Sequence, residues 1–187
     1  MEFSSARLRF RPFVQADFAH YQAIFGNQQV MEHAWIDRYS TDKAKASFDQ
    51  LLTQQKAGDD RIDHEFCVAL PNGASVGYGS INVNVKNQFG GIGEVGYFLL
   101  PEHWGKGYAT EIAEALCGYA FGTLGLHRVW ARCSANNPAS EKGMEKIGMK
   151  KEGYFRQCRL KNGRWDDEPR YAILADEWSA LHPNTDQ

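Results

Sequence analysis

One short run limits this chain more than any other: Leu99-Leu100-Pro101-Glu102-His103-Trp104-Gly105-Lys106-Gly107-Tyr108-Ala109-Thr110. An apolar strand meets a proline, a loop with two glycines one residue apart comes next, and an amphipathic helix begins. The first N–H groups of a helix have no intrahelical acceptor, and glycines beside them let a ligand come close to the backbone. With the positive end of the helix dipole they form a seat for an anion, most often a phosphate. The loop is not a P-loop, because Lys106 is followed by Gly107 and Tyr108 rather than by a hydroxyl residue that could hold magnesium. Nor is it a dinucleotide fingerprint, since Thr110 stands at the third glycine position and alanine occupies the downstream region that needs an acid. The bland alternative is a glycine turn that merely starts a helix.

At 187 residues the chain can bury a core without metal or disulfide staples, and it reads as a single domain over residues 1–187. Its formal charge is −2, with acids and bases mixed along the chain, so no basic footprint points to nucleic acid. Arg7, Arg9 and Arg11 alternate along an expected strand and read as one solvated face. The longest apolar stretches are too short to span a bilayer, so no membrane partner is expected. Residues 1–12 carry three arginines and no apolar stretch of the kind a secretory leader has. Cys67, Cys117, Cys133 and Cys158 have no metal-ligand spacing, and three of them lie in apolar segments. Buried thiols in a reducing cytoplasm, with no metal site, are expected.

The hydrophobic pattern gives an edge-type strand over Arg7–Phe13, then a helix from Asp17 to about Phe25 stopped by Gly26-Asn27. Thr41 is the expected N-cap of a helix from Asp42 to about Lys56, broken by Gly58-Asp59-Asp60. Glu65–Leu70 and Ala74–Val85 read as a hairpin turning at Pro71-Asn72-Gly73, and Gly93–Leu100 as a further strand. A helix from Tyr108 to about Phe121 buries Ile112, Ala113, Leu116 and Ala120, and Gly122 and Gly125 end it. His127–Cys133 is a strand, Ser140–Ile147 a short helix, and Glu177–Leu181 a terminal turn. Met149–Leu160 and Trp165–Leu174 pair across Asn162-Gly163 as the last hairpin.

This order of segments, over about residues 7–178, resembles the GCN5-related N-acetyltransferase superfamily. The family's Arg/Gln-x-x-Gly-x-Gly/Ala segment is matched by Trp104-Gly105-Lys106-Gly107-Tyr108-Ala109, with Trp104 at the departing first position. Trp-Gly-x-Gly-Tyr-Ala-Thr is similar to the Rim-type branch, the ribosomal-protein N-terminal acetyltransferases. Asn137-Pro138-Ala139-Ser140, Lys146-Ile147-Gly148-Met149 and Glu152-Gly153 resemble the same branch, as do Glu94-Val95-Gly96-Tyr97 and Asp167…Tyr171. The resemblance implies an α/β fold with a mixed, mostly antiparallel sheet of six to seven strands flanked by helices. It further implies a splayed strand pair that opens a cleft for acetyl-CoA.

The same resemblance implies roles for particular residues. The diphosphate of acetyl-CoA is expected on Trp104, Gly105, Lys106, Gly107, Tyr108, Ala109 and Thr110, and the pantetheine arm along Phe98, Leu99 and Leu100. Asn137 is expected to hydrogen-bond the pantetheine, its alternative role being a helix cap. Acetyl transfer to an amine requires loss of the amine proton, a donor for the oxyanion and stabilisation of the departing thiolate. Glu94 is the candidate base, with a structural ion pair as its alternative. Ser140 is the candidate donor to the thiolate, because Met144 stands where many relatives carry a tyrosine. His103 is expected at the surface, while His33, Trp35 and Tyr39 either line the acceptor pocket or pack in the core. Asp167 and Tyr171 are expected to serve the sheet. The expected acceptor is a primary amine, foremost a protein N-terminal α-amine and alternatively a small amine such as an antibiotic, polyamine or amino acid derivative. A non-catalytic CoA-binding module is the rival of another class, and edge strands of this family suit a homodimer.

Overall fold

Three sequence signals build much of the architecture: period-two strands, Asn-Gly turns and the capping side chains Asn27, Ser40 and Asn137 ahead of three of the helices. The computed structural model describes residues 2–56 and 61–183, so the expected Gly58-Asp59-Asp60 break lies outside the described residues. In chain order the elements are β1 (Phe3–Ser4), β2 (Arg9–Arg11), α1 (Phe18–Phe25), α2 (Gln28–Met31), α3 (Thr41–Gln54), β3 (Asp63–Ala69), β4 (Ser75–Asn87) and β5 (Gly90–Leu99). They continue as α4 (Tyr108–Gly122), β6 (Arg128–Arg132), α5 (Pro138–Lys146), β7 (Lys150–Lys161), β8 (Arg164–Leu174) and α6 (Ala175–Leu181). Single 3₁₀ turns, Gln15–Asp17 and Pro101–His103, lead into α1 and follow β5.

The strands form one mixed sheet in the order β1-β2-β3-β4-β5-β6-β8-β7. Pairing is antiparallel for β1 with β2, β2 with β3, β6 with β8 and β7 with β8, and parallel for β5 with β6. This is the expected fold class, with eight strands rather than six to seven. The added strand is β1: two residues are too short to show alternation, and tertiary packing fixes them instead. Phe3 stacks on Phe10 at 4.5 Å and meets the edge of Phe66 at 5.1 Å. The Arg7–Phe13 strand shrinks to Arg9–Arg11, because Ser5–Leu8 forms a turn held by Ser5 N–H on the Leu8 carbonyl at 2.9 Å.

The contacts divide the chain into two compact units, residues 1–80 with 97–112 and residues 81–96 with 113–187, so that β4, β5 and α4 each contribute to both. In the first unit Phe13, Tyr21, Ile24, Phe25, Phe48 and Leu51 are buried with Tyr78. Each such side chain contributes about 1.5–3 kcal/mol by leaving water. Ser40, not Thr41, caps α3: its hydroxyl accepts from Lys43 N–H. Asn27 likewise caps α2, so the Gly26-Asn27 stop of one helix is the start of another. Asp17 gives its carboxylate not to α1 but to Arg11, in a bidentate pair at 2.6 and 2.8 Å, and to Val14 N–H at 2.8 Å.

In the second unit α4 buries Leu116, Cys117 and Ala120, and β6 and β8 bury Val129, Ala131, Tyr171 and Ile173. The parallel ladder of β5 on β6 ends at the Glu94–Trp130 pair, while β6 continues against β8 to Arg132. The expected terminal turn is the short helix α6, with Trp178 buried. Among the described residues no helix is long and apolar enough to cross a membrane. Among the same residues no three His, Cys, Asp or Glu side chains gather as metal ligands.

Candidate active site

Gly105 and Gly107 carry φ of +72° and +80°, the left-handed region that glycine enters without strain. Their alternation with Lys106 turns the chain from the 3₁₀ turn into α4. The first helical bond of α4 runs from Glu111 N–H to the Gly107 carbonyl at 3.2 Å. Tyr108, Ala109 and Thr110 therefore have N–H groups ahead of the first intrahelical acceptor. A Cβ at Gly105 would meet nothing within 4 Å, whereas one at Gly107 would reach Arg7 Nη2 at 3.4 Å.

Other predicted residues of this run act differently from expectation. Trp104 N–H donates to the Pro101 carbonyl at 3.1 Å, so its main chain is spent inside the 3₁₀ turn. Its indole Nε1 donates to the Leu99 carbonyl at 2.8 Å and ties the loop to the end of β5. Leu100 gives its N–H to the Val76 carbonyl at 3.3 Å and its carbonyl to His103 N–H at 2.9 Å. The Leu99 carbonyl, held by the Trp104 indole, is likewise engaged within the segment. The Phe98 ring packs near Phe25 and Tyr78, at 5.6 and 6.0 Å, and Leu99 is buried.

Arg7 is the residue of this loop that sequence reasoning missed. Its Nη1 donates to the Lys106 carbonyl at 3.1 Å, its Nε to Glu111 at 2.7 Å, and its guanidinium lies 4.7 Å from the centre of the Tyr108 ring. Alternation along a strand concealed it, and only the fold brings residues 7 and 111 together. Tyr39 stacks on Phe25 at 5.3 Å and packs against the core of the first unit. His103 is half-buried, 6.3 Å from Tyr108.

The remaining predicted residues belong to the second unit. Asn137 caps α5: its carboxamide oxygen accepts from Ser140 N–H at 3.2 Å, which leaves the NH2 end as its donor toward any ligand. The segment before it is held by Asp166, which accepts from Ser134 Oγ and from Asn136 Nδ2 at 2.6 Å. Ser140 is half-buried, and its side chain is hydrogen-bonded to the Cys133 thiol. Burial, then the Glu141 charge, pushes that thiol up to about 12. Met144 is buried. Tyr171 is buried with its hydroxyl on Glu141 at 2.7 Å, and Asp167 accepts from Tyr154 and from Gln157 N–H, so both serve the sheet and its neighbours.

Glu94 sits at the end of the β5–β6 ladder and accepts from Arg132 Nε at 2.7 Å. Burial, with the charge of Glu168 adding to it, raises its carboxyl above the ordinary value even though Arg132 and Arg170 pull the other way. Glu168 itself is buried, 3.8 Å from Arg132 Nη1 and 2.6 Å from Arg170 Nε. The ion pair with Arg132 is thus present alongside a carboxyl that burial raises.

Comparison with known proteins gives a consistent picture. The family model of the acetyltransferase (GNAT) domain matches residues 7–150. The uncharacterized N-acetyltransferase YnaD of Bacillus subtilis is 44% identical over 86 residues, a stretch that spans about half of each chain: 46% of this one and 51% of the relative. The crystal structure of a GNAT-family acetyltransferase from Bacillus anthracis superimposes with a TM-score of 0.78 at 29% identity, covering 94% of this chain and 99% of that one. The spermidine N-acetyltransferase of Vibrio cholerae, solved with CoA and spermine, shares the fold with a TM-score of 0.81 at 22% identity, over 93% and 99%.

Proposed function

The chain belongs to the acetyltransferase (GNAT) domain family and is an N-acetyltransferase, and from that premise we propose that it moves the acetyl group of acetyl-CoA to a protein N-terminal α-amine. The observation that carries the donor is the Gly105–Thr110 loop, where two left-handed glycines precede the open N–H groups of α4. A diphosphate suits such a seat. The acceptor rests on the Rim-type motif residues Trp104–Thr110 and Asn137–Gly153. Residues 1–187 then act as one catalytic domain, and the buried thiols Cys67, Cys117 and Cys133 suit a reducing cytoplasm.

In this reading Glu94 takes the proton of the amine, and burial raises its carboxyl above the ordinary value, in the direction of a stronger base. The main-chain N–H at Leu99 faces the oxyanion. The new C–N bond forms as the C–S bond breaks, and Ser140 donates to the departing thiolate, a task Met144 has no donor for. Cys133, held protonated, is no nucleophile, which favours direct attack over a covalent enzyme intermediate.

A second reading is a small polyamine acceptor, favoured by the likeness in fold to the Vibrio cholerae enzyme solved with spermine. Calorimetry with CoA, followed by thiol-release assays on N-terminal peptides of ribosomal proteins and on a panel of small amines, tests both. The expected result is heat with CoA and turnover with peptides. Turnover with polyamines alone transfers the assignment to the second reading. Tight CoA binding without turnover of any amine makes the chain a CoA-binding module, and no heat with CoA overturns the donor assignment.

A further inference from the structure

Glu111 lies in the first turn of α4, directly after the open N–H groups of Tyr108, Ala109 and Thr110. That position is favourable for the helix dipole but places a negative charge beside a seat meant for an anion. Four donors collect on it: Ser5 Oγ at 2.6 Å, Arg7 N–H at 2.8 Å, Arg7 Nε at 2.7 Å and Arg7 Nη2 at 2.7 Å. The third nitrogen of the same guanidinium, Nη1, turns the other way and holds the Lys106 carbonyl. In a trans peptide the C=O and the following N–H point in opposite directions. Fixing the Lys106 carbonyl toward Arg7 therefore aims the Gly107 N–H away from Arg7.

Resting on the acetyl-CoA reading above, we propose that Arg7 is a positioning residue for the diphosphate seat: it fixes the Lys106–Gly107 peptide and neutralises Glu111, so that the loop presents N–H groups rather than a carboxylate to the ligand. Half of the Arg7 side chain is exposed while Glu111 is mostly covered, and the same guanidinium also holds the loop carbonyl of Lys106. The turn Ser5–Leu8, between β1 and β2, supplies the Arg7 and Ser5 donors together.

The experiment compares wild type, Arg7→Ala, Arg7→Lys and Glu111→Gln by calorimetry with CoA. It adds steady-state kinetics with acetyl-CoA and with S-acetyl-N-acetylcysteamine, a thioester that has no diphosphate. Arg7→Ala is expected to weaken CoA about tenfold, the scale of one charge-assisted hydrogen bond, while turnover of the short thioester is unchanged. Arg7→Lys restores part of the affinity, and Glu111→Gln binds CoA at least as tightly as wild type, because it removes the repulsive charge and leaves Nη1 on Lys106. The proposal is overturned if Arg7→Ala binds CoA within twofold of wild type, or loses the two thioesters equally. Should Arg7→Ala fail to fold, Arg7→Lys and Glu111→Gln decide it: equal losses mark a plain structural ion pair and overturn the proposal. Wild type giving no heat with CoA overturns the acetyl-CoA reading itself, an outcome distinct from any difference among variants.

Discussion

Replacing Gly107 with alanine separates the two consequences of its backbone conformation. At φ +80° an L-residue is strained by about 1–2 kcal/mol, and a stiffer unfolded chain returns about 0.5 kcal/mol. The added Cβ meets only Arg7 Nη2, at the ordinary contact distance of 3.4 Å, so no steric term is added. The net loss of about 1 kcal/mol lowers Tm by roughly 2–4 °C in a domain of this size. Gly73 is the matched control within the same unit: φ is +89°, nothing lies within 4 Å of its Cβ, and it turns the β3–β4 hairpin. Thermal unfolding should give the two alanine variants similar losses. Kinetics should not: relaxation of φ at position 107 re-aims a loop N–H, and a charge-assisted hydrogen bond of about 1.5–3 kcal/mol corresponds to a KM for acetyl-CoA raised roughly ten- to a hundredfold. Equal Tm losses with an acetyl-CoA KM in Gly107→Ala within twofold of that in Gly73→Ala would refute the assignment of the loop to the diphosphate.

Other variants report on the chemistry and on the frame. Glu94→Gln should lower kcat by roughly a hundredfold or more and remove the acidic limb of the kcat/KM profile, which in wild type lies above the ordinary carboxylate range; an unchanged profile excludes Glu94 as the base. Ser140→Ala should reduce kcat while the KM for acetyl-CoA stays near wild type, because Asn137 still caps α5 through the main-chain N–H at position 140; full kcat would remove Ser140 from the mechanism. For Asp17, burial alone would raise the carboxyl, but Arg11 and the Val14 N–H outweigh it and hold it below the ordinary value. A depressed folded value means the pair's contribution is complete above about pH 4 and is lost as pH falls through the folded-state value. Asp17→Asn should therefore cost about 3 kcal/mol at neutral pH and show a flatter acid limb in urea titrations, whereas a parallel acid limb would dismiss the pair as a stabilising element.

Local chemistry was legible where the backbone itself demanded a residue type. Asn162-Gly163 takes φ of +50° and +74°, the twin positive values of a tight hairpin, and β7 and β8 pair as read. The Gly105–Gly107 loop was legible for the same reason. What escaped was set by partners far away in the chain. Phe3 becomes strand because Phe10 and Phe66 pack on it, Ser40 displaces Thr41 as a cap by a shift of one residue, and Arg7 reads as solvated until Glu111 is beside it. Glu94 was legible as a candidate carboxylate, but its Arg132 partner and the buried Glu168 came only with strand order.

The departure at Trp104 shows how far a motif letter can vary while its physics is kept. Arginine and glutamine, usual at that position in the wider family, are both N–H donors, and so is an indole. Here the indole Nε1 reaches the Leu99 carbonyl at 2.8 Å, at the last residue of β5. Without a donor there, the end of β5 would be joined to the glycine loop by the 3₁₀ turn alone. With it, the strand end, the turn and the helix start are tied together by two side chains, Trp104 on the Leu99 carbonyl and Arg7 on the Lys106 carbonyl. In this chain a side-chain N–H of sufficient reach fills the position without adding a charge, and the loop's positive character is left to Lys106 and the helix dipole.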